Sequence, residues 1–333
     1  MRLKLWAGGL VSLGLLAFIF SKIDFHRLWE VLRSVDLGWV AAAGVLNLVF
    51  YIIRAERWRF LMEPVKKGVP LIDLLSATII GFMANNILPA RLGEFARAYV
   101  LGRRESVPAS SVFATIVVER LFDSLAVLML LVYVLATMPE SIAGGGTAGM
   151  IQKAGYVSLG ACAVLISVVA FFVAAPGRAA AAVDGILRPI SPGFAAKAVY
   201  LTEKFASGLR VVKSPRLLSR IIFYTLLHWL PLFIPVMFFF KAFGLHYGVY
   251  QALFFLVITL FSVAVPSTPG FVGTYEAAGV GALVLLGMDK EAALGFTILA
   301  HAVSFVPITL LGFIFLSREN LSLGGLKKAE AET

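Results

Sequence analysis

Two apolar runs of this chain are broken by Pro, Gly and charged residues where a membrane helix should simply continue, in NNILPARLGEFARAY (85–99) and VAVPSTPGFVGTYEAAGV (263–280). Each holds Pro-x-x-(Leu/Val)-Gly with a Glu soon after: Pro89, Leu92, Gly93 and Glu94 in the first, Pro269, Val272, Gly273 and Glu276 in the second. Paired interruptions in the two halves of an apolar chain are the sequence signature of a transport site built from broken helices. Around them lie apolar stretches of about 17 residues or more, enough to cross about 30 Å of hydrocarbon, at 5–20, 37–53, 109–136, 155–175, 221–240 and 292–316. The interrupted stretches themselves are 71–88 and 249–287.

Only 14% of the residues are charged and 60% are apolar, against about 25% charged in a soluble domain. The chain is therefore expected to be an all-α polytopic membrane protein, with one transmembrane domain over 1–320 and a short cytoplasmic tail at 321–333. The opening Met1-Arg2-Leu3-Lys4 and the apolar run to Phe20 lack a small-x-small cleavage site, so they read as a retained first helix. Cys162 is the single cysteine, which excludes an intrachain disulfide.

Lys and Arg should gather on the cytoplasmic side. They do gather, at 54–70 (Arg54, Arg57, Arg59, Lys66, Lys67), at 91–104 (Arg91, Arg97, Arg103, Arg104) and across 176–220, whereas 137–154, 241–248 and 287–291 hold one each. All the basic segments share one side only if 71–104 enters and returns there and 249–287 does the same from the opposite face. The expected layout is six full crossings plus two opposed re-entrant hairpins, with both termini cytoplasmic in the inner membrane. Segments 37–136 and 221–316 then form an inverted-topology repeat. The alternative is that both interrupted segments span fully. Asp24 to Asp36, Arg54 to Phe60 and the basic amphipathic stretch 191–213 read as headgroup-boundary segments. The net charge of +10 is topogenic on this reading, and no nucleic acid partner is expected.

The charges of interest lie near bilayer depth, where an ionised side chain costs about 2.5 kcal/mol or more unless paired or wet. Arg91, Glu94 and Arg97 follow one another at helical spacing, Glu119, Arg120 and Asp123 sit inside TIVVERLFDSLAVLMLLVYV, and Glu276 belongs to the second hairpin. Asn85, Asn86, Ser267, Thr268 and Thr274 add uncharged hydrogen-bonding groups, and helix ends at the breaks offer free N–H groups to a phosphate or carboxylate. The breaks are assigned to Pro89, Gly93, Pro266, Pro269, Gly270 and Gly273. Two interpretations compete: a polar groove for a lipid headgroup, and an ion-pair network that only fastens hairpins to helices. His228 and His301 are each isolated in sequence and read as packing or hydrogen-bonding residues. No Walker A loop, nucleophile elbow or metal-ligand spacing occurs, so no cofactor, no metal and no enzymatic activity are expected.

The ordered set NxxLPARLGExxR, VVERxxD and PSTPGxVGTYE resembles the flippase-like integral membrane family that includes the transmembrane region of lysylphosphatidylglycerol synthases. The resemblance covers about residues 5–316. Its motif positions here are Asn86, Pro89, Arg91, Gly93, Glu94 and Arg97, then Glu119, Arg120 and Asp123, then Pro266, Pro269, Gly270, Gly273 and Glu276. It implies translocation of a polar or anionic lipid between leaflets; the cytoplasmic transferase domain of the bifunctional members is not expected here, and with it no aminoacyl transfer. In this scheme Arg91 and Arg97 hold the phosphate, Glu94, Glu119 and Asp123 balance those arginines, and Glu276 with Thr274 and Ser267 closes the site. Expected partners are membrane lipids, phospholipid or polyprenyl-type. A homodimer and a separately encoded lipid-modifying synthase are compatible with the sequence. The rival functions are an ion-coupled transporter of a small solute and a membrane partner subunit of a lipid- or glycan-modifying enzyme.

Overall fold

The computed structural model describes residues 23–88, 92–139, 148–264 and 268–322. The expected first crossing at 5–20, the C-terminal tail from 323, and the candidate residues Pro89, Arg91, Pro266 and Ser267 lie outside them. The described residues are all-helical: α1 (Phe25–Ser34), α2 (Leu37–Met62), α3 (Leu71–Ile87), α4 (Gly93–Glu105), α5 (Ala109–Ala136), α6 (Ala148–Ala174), α7 (Pro176–Leu187), α8 (Pro192–Gly208), α9 (Pro215–Ala242), α10 (Val249–Ala264), α11 (Thr274–Leu285) and α12 (Lys290–Arg318). Short 3-10 turns cover Leu209–Lys213 and Pro269–Phe271.

Among the described residues, four helices are long and apolar enough to cross a bilayer: α2, the Gly155–Ala174 part of α6, α9 and α12. The 28-residue α5 has ample length at about 1.5 Å per residue, but Glu119, Arg120 and Asp123 interrupt its apolarity. Outward-facing apolar side chains such as Val157, Val164, Leu226 and Leu310 suit contact with lipid rather than water. The protein is a multi-pass membrane protein.

The element lengths repeat. A long helix, two short ones and a long one run through α2, α3, α4, α5 with 26, 17, 13 and 28 residues, and again through α9, α10, α11, α12 with 28, 16, 12 and 29. The contacts repeat as well: α3 packs on α12 as α10 packs on α5, and the equivalent helices α2 and α9 pack on each other. Each half has its own core. One gathers Trp58, Leu74, Ile80, Met83 and Leu101; the other surrounds Phe296, whose ring meets Phe239, Phe240, Phe243 and Phe255 at 5.2–5.6 Å.

Helices α3 and α4 form a hairpin because their facing positions are glycine. The Gly93 N–H donates to Asn85 Oδ1 at 2.8 Å, and the stem of Arg97 lies where Gly81 leaves room. Pairing 85 with 93 and 81 with 97 is antiparallel. Small residues are what allow such close backbone approach between membrane helices. In the second hairpin Phe255 of α10 touches both Tyr275 and the Gly279 position of α11. Its tip turns on Gly270 and Gly273, with φ of 71° and 91°. A side chain at Gly270 would also collide with Phe305.

The two hairpins approach from opposite ends of α12. The base of the first is tied to the C-terminal end, where Arg104 binds Asp73 at 2.7 Å and Glu319 at 2.6 Å, and Lys66 binds Glu105 at 2.7 Å. The base of the second is near the N-terminal end: the Tyr247 hydroxyl donates to the Leu286 carbonyl, while Asp36 N–H bonds Ala242 and Asp24 N–H bonds Glu291. The tips meet midway. Asn86 donates to Thr309 Oγ1 at 2.8 Å, and its carbonyl oxygen adjoins Gly270.

One sequence expectation is corrected here. Arg54 and Arg57 do not belong to a basic loop; α2 continues to Met62, and both are buried within the protein together with Trp58. No proline follows Asp36 until Pro64, so the helix carries its charged last turns into the protein interior.

Candidate functional site

The buried arginines of α2 converge on α5. Glu119 receives Arg97 from α4 through two bonds of 3.1 Å, and Arg54 bonds to it as well. Asp123, one turn further along, binds Arg54 at 2.8 Å and Arg57 at 2.7 Å. Arg57 also reaches Thr225 Oγ1 on α9 at 3.3 Å. The Arg97 guanidinium lies 4.2 Å from the Trp58 ring centre, and the Trp58 N–H is held by Thr115 Oγ1 at 2.9 Å. Spacing explains the assembly: Glu119 and Asp123 at i, i+4 present two carboxylates on one helix face, and Arg54 and Arg57 at i, i+3 meet them.

Arg120 completes the cluster from the groove side. It is about one-third exposed and binds Glu94 at 3.1 Å. Four guanidiniums, Arg54, Arg57, Arg97 and Arg120, thus face three carboxylates, Glu94, Glu119 and Asp123. His228 stands beside them with Nδ1 2.6 Å from the Thr225 carbonyl and Nε2 3.7 Å from Asp123. Several buried guanidinium nitrogens, Arg54 Nε, Arg57 Nε and Arg120 Nε among them, find no hydrogen-bond acceptor among the described residues.

A cavity of about 580 Å³ opens between the two halves. Arg54, Arg120, Asp123 and His228 line one wall, Tyr275, His301 and Ser304 the other, and Asn86 stands at the tips. The remaining lining is largely aromatic and aliphatic, including Phe50, Phe82, Trp229, Phe271 and Phe305. Phe271 has φ of 60°, a left-handed strain of about 1–3 kcal/mol for a non-glycine residue, and lines the cavity from the second tip. A charged patch inside an apolar, aromatic wall is chemically amphiphilic.

The candidate residues of the sequence fall into three places. Arg120 and Asp123 line the cavity, with Asn86 at its tip end; Arg97 and Glu119 stand behind that wall, fully buried. Asn85 caps the start of α4, and Glu94 lies at that first turn as the partner of Arg120. Glu276 accepts the Gly273 N–H at 2.6 Å and pairs with His301 Nδ1 at 2.6 Å. Thr274 donates to the Phe271 carbonyl and Thr268 to that of Val272, both within the second tip. Sequence reasoning missed Arg54, Arg57, His228 and His301 as members of these clusters. The uninterrupted helical run from 37 to 63 was the available signal for the arginines; the histidines' partners are distant in sequence and left none.

The lysylphosphatidylglycerol synthase transmembrane region family matches residues 5–312. The chain belongs to this family. Among its relatives, a glycosyltransferase of Haloferax volcanii is 28% identical over 99% of this chain and 57% of its own length. UPF0104 membrane proteins of Methanocaldococcus jannaschii and Pyrococcus horikoshii are 22% and 21% identical, each over 92% of this chain and 92% and 95% of theirs. The chain therefore spans little more than half of the glycosyltransferase and nearly all of the UPF0104 proteins. No solved structure matches it. The family's transmembrane-region character agrees with the four apolar spans among the described residues.

Proposed function

We propose that this protein moves a polar, singly anionic lipid between the leaflets of a membrane, its headgroup passing through the cavity between the two hairpins. The carrying observation is the cavity itself: about 580 Å³, amphiphilic, lined from both halves, and located where the hairpin tips meet midway along α12. A headgroup crosses slowly because it must leave water for hydrocarbon, whereas its tails need no shelter. A groove that among the described residues has one guanidinium in excess of its carboxylates offers the phosphate a partner at mid-depth. Arg120 is the cation that touches the headgroup, because it is about one-third exposed beside Glu94 and Asp123, whereas Arg54, Arg57 and Arg97 are buried against Glu119 and Asp123. Asn86 and Ser304 add hydrogen-bonding groups along the path.

In this reading the hairpins are re-entrant. Arms of 17, 13, 16 and 12 residues reach only about 18–26 Å at about 1.5 Å per residue, less than the hydrocarbon thickness, and the tips close the middle of the bundle from opposite faces. Tilting of one half against the other then exposes the cavity to each leaflet in turn.

The test is leaflet exchange in liposomes carrying the purified protein, read by dithionite quenching of fluorescent phosphatidylglycerol and phosphatidylethanolamine. Exchange of the anionic probe above protein-free liposomes, lost in a folded Arg120→Ala variant, supports the reading. Exchange that is absent for every headgroup refutes it. A second reading, a membrane partner for an enzyme that modifies lipids or lipid-linked glycans, is favoured by the similarity to the glycosyltransferase, of which this chain covers 57%. Co-purification with a synthase and no exchange by the protein alone would select it.

A further inference from the structure

The cavity's second wall carries an ionisable pair that the headgroup scheme does not use. His301 lines the cavity, and its Nδ1 lies 2.6 Å from Glu276 Oε1 behind it; both are about nine-tenths buried. Glu276 is held in place by the Gly273 N–H at 2.6 Å, and the Tyr275 ring stacks on His301 at 4.4 Å. This pair occupies the place in the second half that Arg97 and Glu119 occupy in the first: each joins the second hairpin arm to the following long helix. The first pair is permanently charged because arginine does not deprotonate. The second contains the one side chain type that changes charge between about pH 5 and 8.

We propose that Glu276 and His301 form a proton-binding site that takes up one proton for each singly anionic headgroup admitted to the cavity, an inference that rests on the lipid-translocation reading above. With Nδ1–H donated to Glu276, Nε2 is the nitrogen that gains the proton from cavity water. Without that proton the pair carries the single negative charge of Glu276, which balances the excess guanidinium of the opposite wall. With it the pair is neutral, and the described residues of the cavity hold one uncompensated positive charge for a phosphate to fill. Proton and anion therefore favour each other's binding, reciprocally, and the loaded cavity crosses with no net charge. The groups facing the pair are Tyr275 on α11, Phe305 and Ser304 on α12, uncharged Asn86 at the tip of α3, and Leu260, Phe261 and Val263 on α10. Across the cavity stand Arg54 on α2, Arg120 and Asp123 on α5, and His228 on α9.

The experiment measures proton uptake and exchange side by side. In weakly buffered detergent solution, short-chain phosphatidylglycerol should draw about one proton per protein, read with a pH indicator, and short-chain phosphatidylcholine none. In liposomes, exchange of fluorescent phosphatidylglycerol should fall as pH rises, by at most about tenfold per pH unit, and an imposed pH gradient should bias its direction. His301→Gln and Glu276→Gln should flatten that pH profile, and His228→Gln should leave its shape. Exchange by the wild type that ignores pH and gradient, with no proton uptake, overturns the coupling while keeping the translocation reading. A profile flattened by His228→Gln alone also overturns it. Absence of both exchange and uptake overturns coupling and translocation together.

Discussion

Replacing Glu119 by Gln removes a negative charge from the point where three guanidiniums converge, and the structure says which of them suffers. Arg54 and Arg57 keep Asp123 at 2.8 and 2.7 Å. Arg97, almost entirely buried, has Glu119 as its one carboxylate partner among the described residues. Breaking a buried ion pair by deleting one partner costs about 3–5 kcal/mol. The Gln oxygen still accepts one bond from Arg97, and the Trp58 face 4.2 Å away retains about 0.5–2 kcal/mol of cation–π attraction, so a net loss of about 2–4 kcal/mol is expected. The assay is reversible unfolding in mixed micelles with a denaturing detergent, run on Glu119→Gln, Arg97→Gln and the double variant. The double variant should lose clearly less than the sum of the singles, because it leaves no stranded charge. Additive losses, or a Glu119→Gln protein within about 1 kcal/mol of wild type, would show that Arg97 is solvated in the membrane and that the cluster is not a structural hub.

The groove-facing charge should behave in the opposite way. Arg120→Ala, about one-third exposed with a partly exposed partner, should cost no more than about 1 kcal/mol of stability yet slow exchange of phosphatidylglycerol at least about tenfold in the liposome assay. Gly93→Ala places a methyl group against the Gly81 carbonyl and the Asn85 side chain; overpacking there should destabilise by about 1–3 kcal/mol, seen as a lower unfolding midpoint and faster proteolysis of the first hairpin. In a Cys162→Ser background, single cysteines at Lys67 and Ser106 should label from the cytoplasmic face, and those at His246 and Lys290 from the other. Labelling of positions 67 and 106 from different faces would refute a hairpin that returns to its starting side.

The membrane class and the positions of most helices followed from sequence because apolar length and Pro/Gly punctuation are local properties. The expected stretch 109–136 is α5 residue for residue, and the breaks near 89 and 269 bracket the hairpin tips. The repeated order of a long helix, two short ones and a long one was legible for the same reason, since an interrupted run stands between long apolar stretches in each half. The charge census was less informative. Arg54 and Arg57 count as loop charges when a window ends at residue 53, but a helix with no proline before Pro64 carries them inward. Which charges meet was decided by tertiary structure alone. Glu119 is 65 residues from Arg54, and Asn86 is 223 from Thr309; no periodicity spans such separations. Burying three guanidiniums, Arg54, Arg57 and Arg97, demands carboxylates at hydrogen-bonding distance, and only the packing of α2, α4 and α5 brings them together. The sequence by itself determined a membrane-embedded helical protein with two broken segments. The tertiary structure decided that Asn86 meets Gly270, that Arg97 and Glu119 fasten the bundle, and that Arg54, Arg120 and Asp123 line a cavity, because burial of an ion depends on the partner that three-dimensional packing brings to it.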